Sequence, residues 1–121
     1  MNKLLQTALL VTLSALPVAA GPVHLFQGEG YTVRVAVQGD RSQYVSGVEF
    51  SGPKDAKPFF VDAAECTTVT FDPATRDLFI LFVNPGAPRY PPTFTLVAHG
   101  DKATLTVHDR LFHLRATWSG P

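Results

Sequence analysis

The sequence predicts an all-β fold, a single β-sandwich or small barrel of about seven to eight mainly antiparallel strands. Three observations predict it. Short runs alternate between apolar and polar residues, clusters of Gly, Pro and Asp separate these runs, and no helical period stands out after the first 20 residues. Both the sandwich and the barrel fit this pattern.

Residues 1–20 have the pattern of a cleavable secretory signal peptide. Lys3 supplies a positive charge, residues 4–16 form an uncharged apolar run, and Val18, Ala19 and Ala20 give the small residues that signal peptidase reads. The run is shorter than the roughly 20 apolar residues that span a bilayer, although an uncleaved anchor remains the alternative. The sequence therefore divides into a signal peptide (1–20) and an all-β domain (21–121), with an exported, periplasmic or extracellular location.

Charge and cysteine content narrow the partners of this domain. Lys and Arg together number 10, as do Asp and Glu, so the chain is formally neutral. A neutral chain disfavours nucleic acid and anionic membrane surfaces as partners. Cys66 is the only cysteine, so an internal disulfide is impossible and the core must stabilise the domain. Its thiol is either buried and inert, or reactive and available for an intermolecular bridge.

The first part of the domain contains five predicted strands. Residues 31–37 alternate cleanly, with Tyr31 and three valines on one face. Residues 44–50, 59–61 and 67–71 follow, each bounded by turn-forming residues. Residues 78–83 are apolar on both faces, with Phe79 and Leu81 on the face opposite the predicted core.

The last third of the chain predicts a three-stranded meander in a defined register. With Gly100 and Asp101 as a type II′ turn, the apolar pairs are Phe94 with Val107, Leu96 with Leu105, and Ala98 with Ala103. With Asp109 and Arg110 as the next turn, the pairs are Val107 with Phe112, Leu105 with Leu114, and Ala103 with Ala116. Leu96, Leu105 and Leu114 are thus expected in one buried row, with Thr95, Thr106 and His113 on the other face.

Patterns that carry chemistry are weak. Residues 51–54 match S-x-x-K in spelling, but Gly and Pro stand where that chemistry needs a helix, so they indicate a turn. No residue is predicted to be catalytic, to bind a cofactor or to ligate a metal. His108 and His113 are expected on one outer face, about 7 Å apart, and His24 lies upstream. These histidines leave open a small-ligand or metal carrier, although a metal site needs three or four ligands.

Partner binding is the function class that the sequence favours. A strand that is apolar on both faces needs a cover for its second face, either from the protein itself or from a partner or apolar ligand. The next segment, residues 84–92, has four prolines that restrict the free chain, with Arg89 and Tyr90 between them. Both residue types are enriched at binding hot spots. The candidate partner-binding residues are Phe79, Leu81, Arg89 and Tyr90.

The sequence therefore predicts an exported, non-enzymatic domain that binds a protein or surface partner of the cell envelope, as an inhibitor, an immunity protein or an assembly factor does. In a competing structural interpretation, residues 84–92 only fold over Phe79 and Leu81, with Tyr90 as the cover. No membrane span is expected after signal cleavage, and no cofactor is implied.

Export with cleavage is directly testable. We expect the exported protein to begin within a residue or two of Gly21, because the small residues that direct cleavage precede it. Intact mass of the protein recovered from the secreted or periplasmic fraction measures this start. Recovery of the full-length mass from that fraction would contradict the prediction.

Overall fold

The computed structural model describes residues 22–40 and 42–119, and the predicted signal peptide lies outside these ranges. The all-β prediction is confirmed. The described residues form nine antiparallel strands in one sheet that curls into a half-barrel, so the strand number slightly exceeds the predicted seven to eight. The strands are β1 (Val23–Gly28), β2 (Tyr31–Gln38), β3 (Tyr44–Ser51), β4 (Phe59–Asp62), β5 (Thr68–Asp72), β6 (Asp77–Phe82), β7 (Phe94–His99), β8 (Lys102–Val107) and β9 (Arg110–Thr117).

The sheet consists of two meanders that share a central seam. The strand order is β4-β3-β2-β1-β9-β8-β7-β6-β5, so β1 to β4 form one meander and β5 to β9 the other. A 3₁₀ turn, Ala63–Glu65, follows β4 and leads to β5. Among the described strands, β1 and β9 are the pair that connects the two meanders by backbone hydrogen bonds, so the single sheet depends on this seam.

Strand β1 was not among the predicted strands. Its six residues bury only His24 and Phe26, which gives too short an alternation to stand out beside the preceding apolar run. Close approach to β9 explains its last residue, because a Cβ at Gly28 would collide with the carbonyl oxygen of His113. The carboxylate of Glu29 then accepts a hydrogen bond from the backbone N–H of His113 at 2.7 Å.

The core lies on the inner, concave face of the sheet. Aromatic rings from both meanders meet there: Phe50 stacks on Phe94 with centroids 5.0 Å apart, and Phe94 contacts Phe82 at 5.9 Å. Because β3 and β7 are far apart in the strand order, this contact shows how strongly the sheet curls. The largest fully buried side chains are Phe26, Phe50, Phe82, Phe94, Ile80, Leu96, Leu105, Val33, Val35, Val37, Val48 and Val61.

The predicted register of β7 and β8 is confirmed pair by pair. Phe94 faces Val107, Leu96 faces Leu105 and Ala98 faces Ala103. The connecting turn has Gly100 at φ +61°, while Asp101 is not in the positive-φ region, as a type II′ turn requires.

The predicted register of β8 and β9 is wrong by two residues. The turn uses His108 and Asp109, whose φ values of +52° and +63° fit a type I′ turn, instead of Asp109 and Arg110. Leu105 therefore faces Phe112, and Leu114 faces Ala103. A slip of two residues leaves every side chain on its predicted face, so Leu114 is still buried and His113 still faces outward.

Cys66 lies just after the 3₁₀ turn and is half-buried against the core. Burial, followed by the nearby carboxylates of Glu65 and Asp62, raises the pKa of its thiol to about 11. The thiol is therefore protonated at neutral pH, and only the thiolate is a good nucleophile. This environment favours the inert thiol over the reactive one.

Truncation at Leu105 tests the core. Its side chain is fully buried, so Leu105→Ala is expected to cost roughly 2–5 kcal/mol of unfolding free energy through lost contacts and a cavity. Leu111, in the adjoining strand, is 56% exposed, and Leu111→Ala provides the matched control with little expected change. Urea unfolding measures both variants, and equal effects of the two would refute the assigned core face.

Candidate functional site

The outer, convex face of β5 to β9 is built from cross-strand rows. Two adjacent rows carry threonines and apolar side chains: Thr70, Phe79, Val97, Thr104 and His113 in one, and Thr68, Leu81, Thr95, Thr106 and Leu111 in the other. We call these two rows the threonine face. Val97 is 42% exposed, while Phe79 and Leu81 are half-buried between their neighbours. The face therefore presents methyl and hydroxyl groups, with His113 as its one titratable member.

A charged row borders the threonine face. It contains Asp72, Asp77, His99, Lys102 and Arg115, with the acidic residues at one end and the basic residues at the other. Charges thus frame the apolar patch along one side, as polar rims frame many interfaces.

The proline-rich segment, residues 84–92, forms a wall on the other side. A groove of about 750 Å³ runs between this segment and the turn at His108 and Asp109, and Thr95 and Thr106 line it as well. Because these two threonines belong to the threonine face, the groove is continuous with that face.

Asn84 organises the proline-rich segment. Its Oδ1 accepts the backbone N–H groups of Gly86 and Ala87 at 2.6 and 2.9 Å. Its Nδ2 donates to the carbonyl oxygens of Ala87, Tyr90 and Pro91, at 2.8 Å for Pro91. One amide side chain thus ties both ends of the segment together, and the prolines fix φ between them. An Asn directly before Pro-Gly is the sequence signal for this arrangement, since Asn side chains readily accept hydrogen bonds from the backbone two residues on.

Tyr90 attaches the segment to the inside of the half-barrel. Its ring packs on Phe82 with centroids 5.5 Å apart, and its hydroxyl donates to the carboxylate of Glu65 in the 3₁₀ turn. Arg89 covers the Tyr90 ring at 4.7 Å and also donates to its hydroxyl. The hydrogen bond from Tyr90 is the main reason that the pKa of Glu65 is lowered, and it raises the pKa of Tyr90.

The four candidate partner-binding residues therefore lie in two places. Phe79 and Leu81 are on the threonine face, whereas Arg89 and Tyr90 lie on the side of Phe82, which is an inner-face residue. Consequently Tyr90 covers Phe82, and not Phe79 or Leu81 as the competing structural interpretation expects. The other flank of the same segment, at Gly86, Ala87 and Pro88, is the part that adjoins the threonine face.

The candidate metal-binding histidines lie on three different elements. His24 is on the inner face of β1, whereas His113 is on the outer face of β9, five residues or about 16 Å along the seam from the position opposite His24. His108 lies in a turn. Within residues 22–40 and 42–119, no group of three or more His, Cys, Asp and Glu side chains is placed to hold a metal ion.

An aspartate–histidine pair lies in the charged row and was not predicted. His99 Nδ1 bonds Asp77, whose other oxygen accepts the Thr75 hydroxyl at 2.8 Å. The bond from His99 is the main reason that the pKa of Asp77 is lowered. Such a pair can orient an imidazole. Among the described residues, no serine hydroxyl or cysteine thiol forms a hydrogen bond with His99.

A second cleft opens at one end of the half-barrel and was also missed. It has a volume of about 410 Å³ and is lined mainly by aromatic and apolar side chains, among them Tyr31, Phe50, Phe59 and Val107. Lys54 and Asp55 stand at the same cleft. The tilted contact of Tyr31 with Phe112, at 4.6 Å, joins residues from β2 and β9 that no local sequence pattern connects.

Comparison of the chain with protein-family models, with curated proteins and with solved structures found no match in any of the three. Across the described part of the chain, no helix has the length and apolar character needed to cross a membrane.

Removal of the Asn84 side chain tests the organisation of the proline-rich segment. Asn84→Ala leaves part-buried carbonyl and N–H groups without their partner, which should cost about 1–3 kcal/mol and speed amide exchange in residues 86–93. Asn84→Asp is the matched variant, since it keeps the acceptor and loses only the donor. Hydrogen exchange by mass spectrometry measures both, and unchanged protection in Asn84→Ala would contradict this role.

Proposed function

We propose that this chain is an exported, non-enzymatic binding domain that contacts a protein or surface partner of the cell envelope through the threonine face and the adjoining flank of the proline-rich segment. The observation that carries the proposal is that Phe79, Leu81 and Val97 lie side by side on one outer face. That face has a charged row on one side and an ordered loop on the other.

Burial energetics support this surface as an interface. Apolar area removed from water contributes about 25 cal/mol per Å², so burial of the exposed Val97 side chain favours docking. The proline-rich segment is already held by Asn84 and Tyr90, so it loses little conformational entropy when a partner binds. Arg89 and Tyr90 then act by fixing the segment, because they lie on the inner-face side with Phe82.

A charge introduced on the threonine face tests the proposal. Val97→Lys places a cation at an exposed strand position without touching the core. Tyr44→Lys is the matched control, because Tyr44 is an exposed apolar strand residue of the other meander, 55% accessible. Tagged wild-type and variant domains are crosslinked to envelope extract, and the captured partners are compared by quantitative mass spectrometry.

The proposal expects partners that wild type and Tyr44→Lys share and that Val97→Lys loses, with all three domains equally stable. Capture that is unchanged in Val97→Lys would overturn it. Loss in both variants would point to a non-specific effect of added charge and would also count against this surface.

A small-ligand carrier is the second candidate function. It is favoured by the cleft at the end of the half-barrel that Tyr31, Phe50, Phe59 and Val107 line, which we call the aromatic end cleft. Apolar pockets with a few polar groups at the mouth of a barrel are common ligand sites. Native mass spectrometry of protein isolated from its own envelope tests this function. A bound mass of a few hundred daltons, lost in Phe59→Ala, would support the carrier, and ligand-free protein would count against it.

A further inference from the structure

His24 is a buried histidine with a defined neutral state. It is 3% exposed and contacts the rings of Phe71 and Trp118 at 5.7 and 4.9 Å. Its Nδ1 accepts the backbone N–H of Ser119 at 3.0 Å. A nitrogen that accepts this bond carries no proton, so the ring proton of the neutral imidazole is on Nε2.

The surroundings of His24 disfavour a second proton. Its Nε2 is buried without a protein hydrogen-bond partner, beside a cavity of about 20 Å³ that Gln43 and Arg76 help to line. Of the described residues that line this cavity, Arg76 is the one that carries a permanent charge. Burial first, and the Arg76 guanidinium second, lower the pKa of His24. Protonation would also set the new N–H of Nδ1 against the N–H of Ser119, so the hydrogen bond could not persist.

Trp118 and Ser119, the segment held by the hydrogen bond to His24, cover apolar side chains of the inner face. Trp118 packs edge-on against Phe26 at 5.2 Å and parallel to Phe71 at 6.0 Å, and its indole N–H donates to the Gly100 carbonyl at 2.6 Å. Trp118 and Ser119 follow β9 and lie outside the strand ladder, so their attachment depends on these few contacts.

We propose that His24 is an acid-sensitive clasp, which holds Trp118 and Ser119 on the inner face at neutral pH and releases them when the imidazole gains a proton. Release uncovers Phe26 and Phe71 and so creates a new apolar surface at this end of the half-barrel. This surface lies on the inner face, whereas the proposed partner surface lies on the outer face.

The direction of the pH effect follows from linkage. The folded-state pKa of His24 lies below the unfolded value of 6.5, so the unfolded chain binds more protons as the pH falls through that value. The stabilisation that His24 provides is therefore complete above about pH 6.5 and declines below it, levelling off once the pH is under the folded-state pKa.

Trp118 reports on the clasp directly, because it is the only tryptophan of the chain. Its emission maximum and acrylamide quenching are followed from about pH 7.5 to about pH 5, with far-UV circular dichroism as the check for global unfolding. We expect a reversible red shift and increased quenching, with the β-sheet signal retained. His24→Gln keeps an acceptor for Ser119 but does not titrate, so it should abolish the transition, whereas His113→Gln should leave it intact.

Constant emission across this range in the wild type, or the same transition in His24→Gln, would overturn the proposal. Nuclear magnetic resonance of the wild type tests it without any variant. The clasp requires the Ser119 amide and Trp118 indole resonances to shift with the same midpoint as the His24 imidazole. Titration of His24 that leaves both resonances unmoved would be equally decisive against it.

Discussion

The pairing of β1 with β9 is the constraint on which the rest of this structure depends. Each meander is built from local hairpins, but the two become one sheet only through Leu25, Phe26 and Gln27 facing Thr117, Ala116 and Arg115. The strands in this seam are about 90 residues apart in sequence, so closing it costs loop entropy that only burial on both sides can offset. Gly28 permits the close approach, and the carboxylate of Glu29 satisfies an amide of β9 beside it.

The threonine face and the position of His24 both follow from the seam between β1 and β9. Joining the meanders lets the sheet curl, and the curl brings Phe50 onto Phe94, which encloses the core. Once the inner face is occupied, the apolar side chains of β6 that point outward have no cover from the core. The threonine face therefore exists because β6 carries apolar residues on both sides of a sheet that has only one interior. The same seam places His24 beside the segment that follows β9.

The sequence predicted those parts of the fold that two-residue alternation controls. The residues of β7, β8 and β9 that were assigned to a face lie on that face, because a one-residue slip would put Leu105 into solvent. The two-residue error in the register of β8 and β9 could not be recognised in this way, since it changes the cross-strand partner of each residue but not the sheet face on which the residue lies. Strand β1 was not predicted because its six residues bury only two side chains, which is too short an alternation to stand out, although the strand pairs with β2 as well as with β9.

The candidate site was predictable only in part, for a related reason. The surplus of apolar residues at Phe79 and Leu81 is local information, and their outward placement was read correctly. The direction of the proline-rich segment is not local. It depends on Tyr90 reaching Glu65, 25 residues earlier, and on Asn84 binding carbonyls up to seven residues later. The aromatic end cleft likewise combines residues of β2, β3, β4 and β8 with residues of the connecting loops.

The central claim, that the seam between β1 and β9 holds the two meanders as one cooperative sheet, is tested most directly at Gly28. Gly28→Ala sets a methyl group against the His113 carbonyl, whereas Gly52→Ala, the matched control, meets chiefly the movable side chain of Asp55. Urea unfolding is followed by Trp118 fluorescence, which reports on the end of the seam, and by circular dichroism of the whole sheet. The account predicts that Gly28→Ala loses roughly 1–3 kcal/mol or more of unfolding free energy while Gly52→Ala stays near the wild type. A Gly28→Ala protein that unfolds at the wild-type midpoint, with both signals coincident, would contradict it.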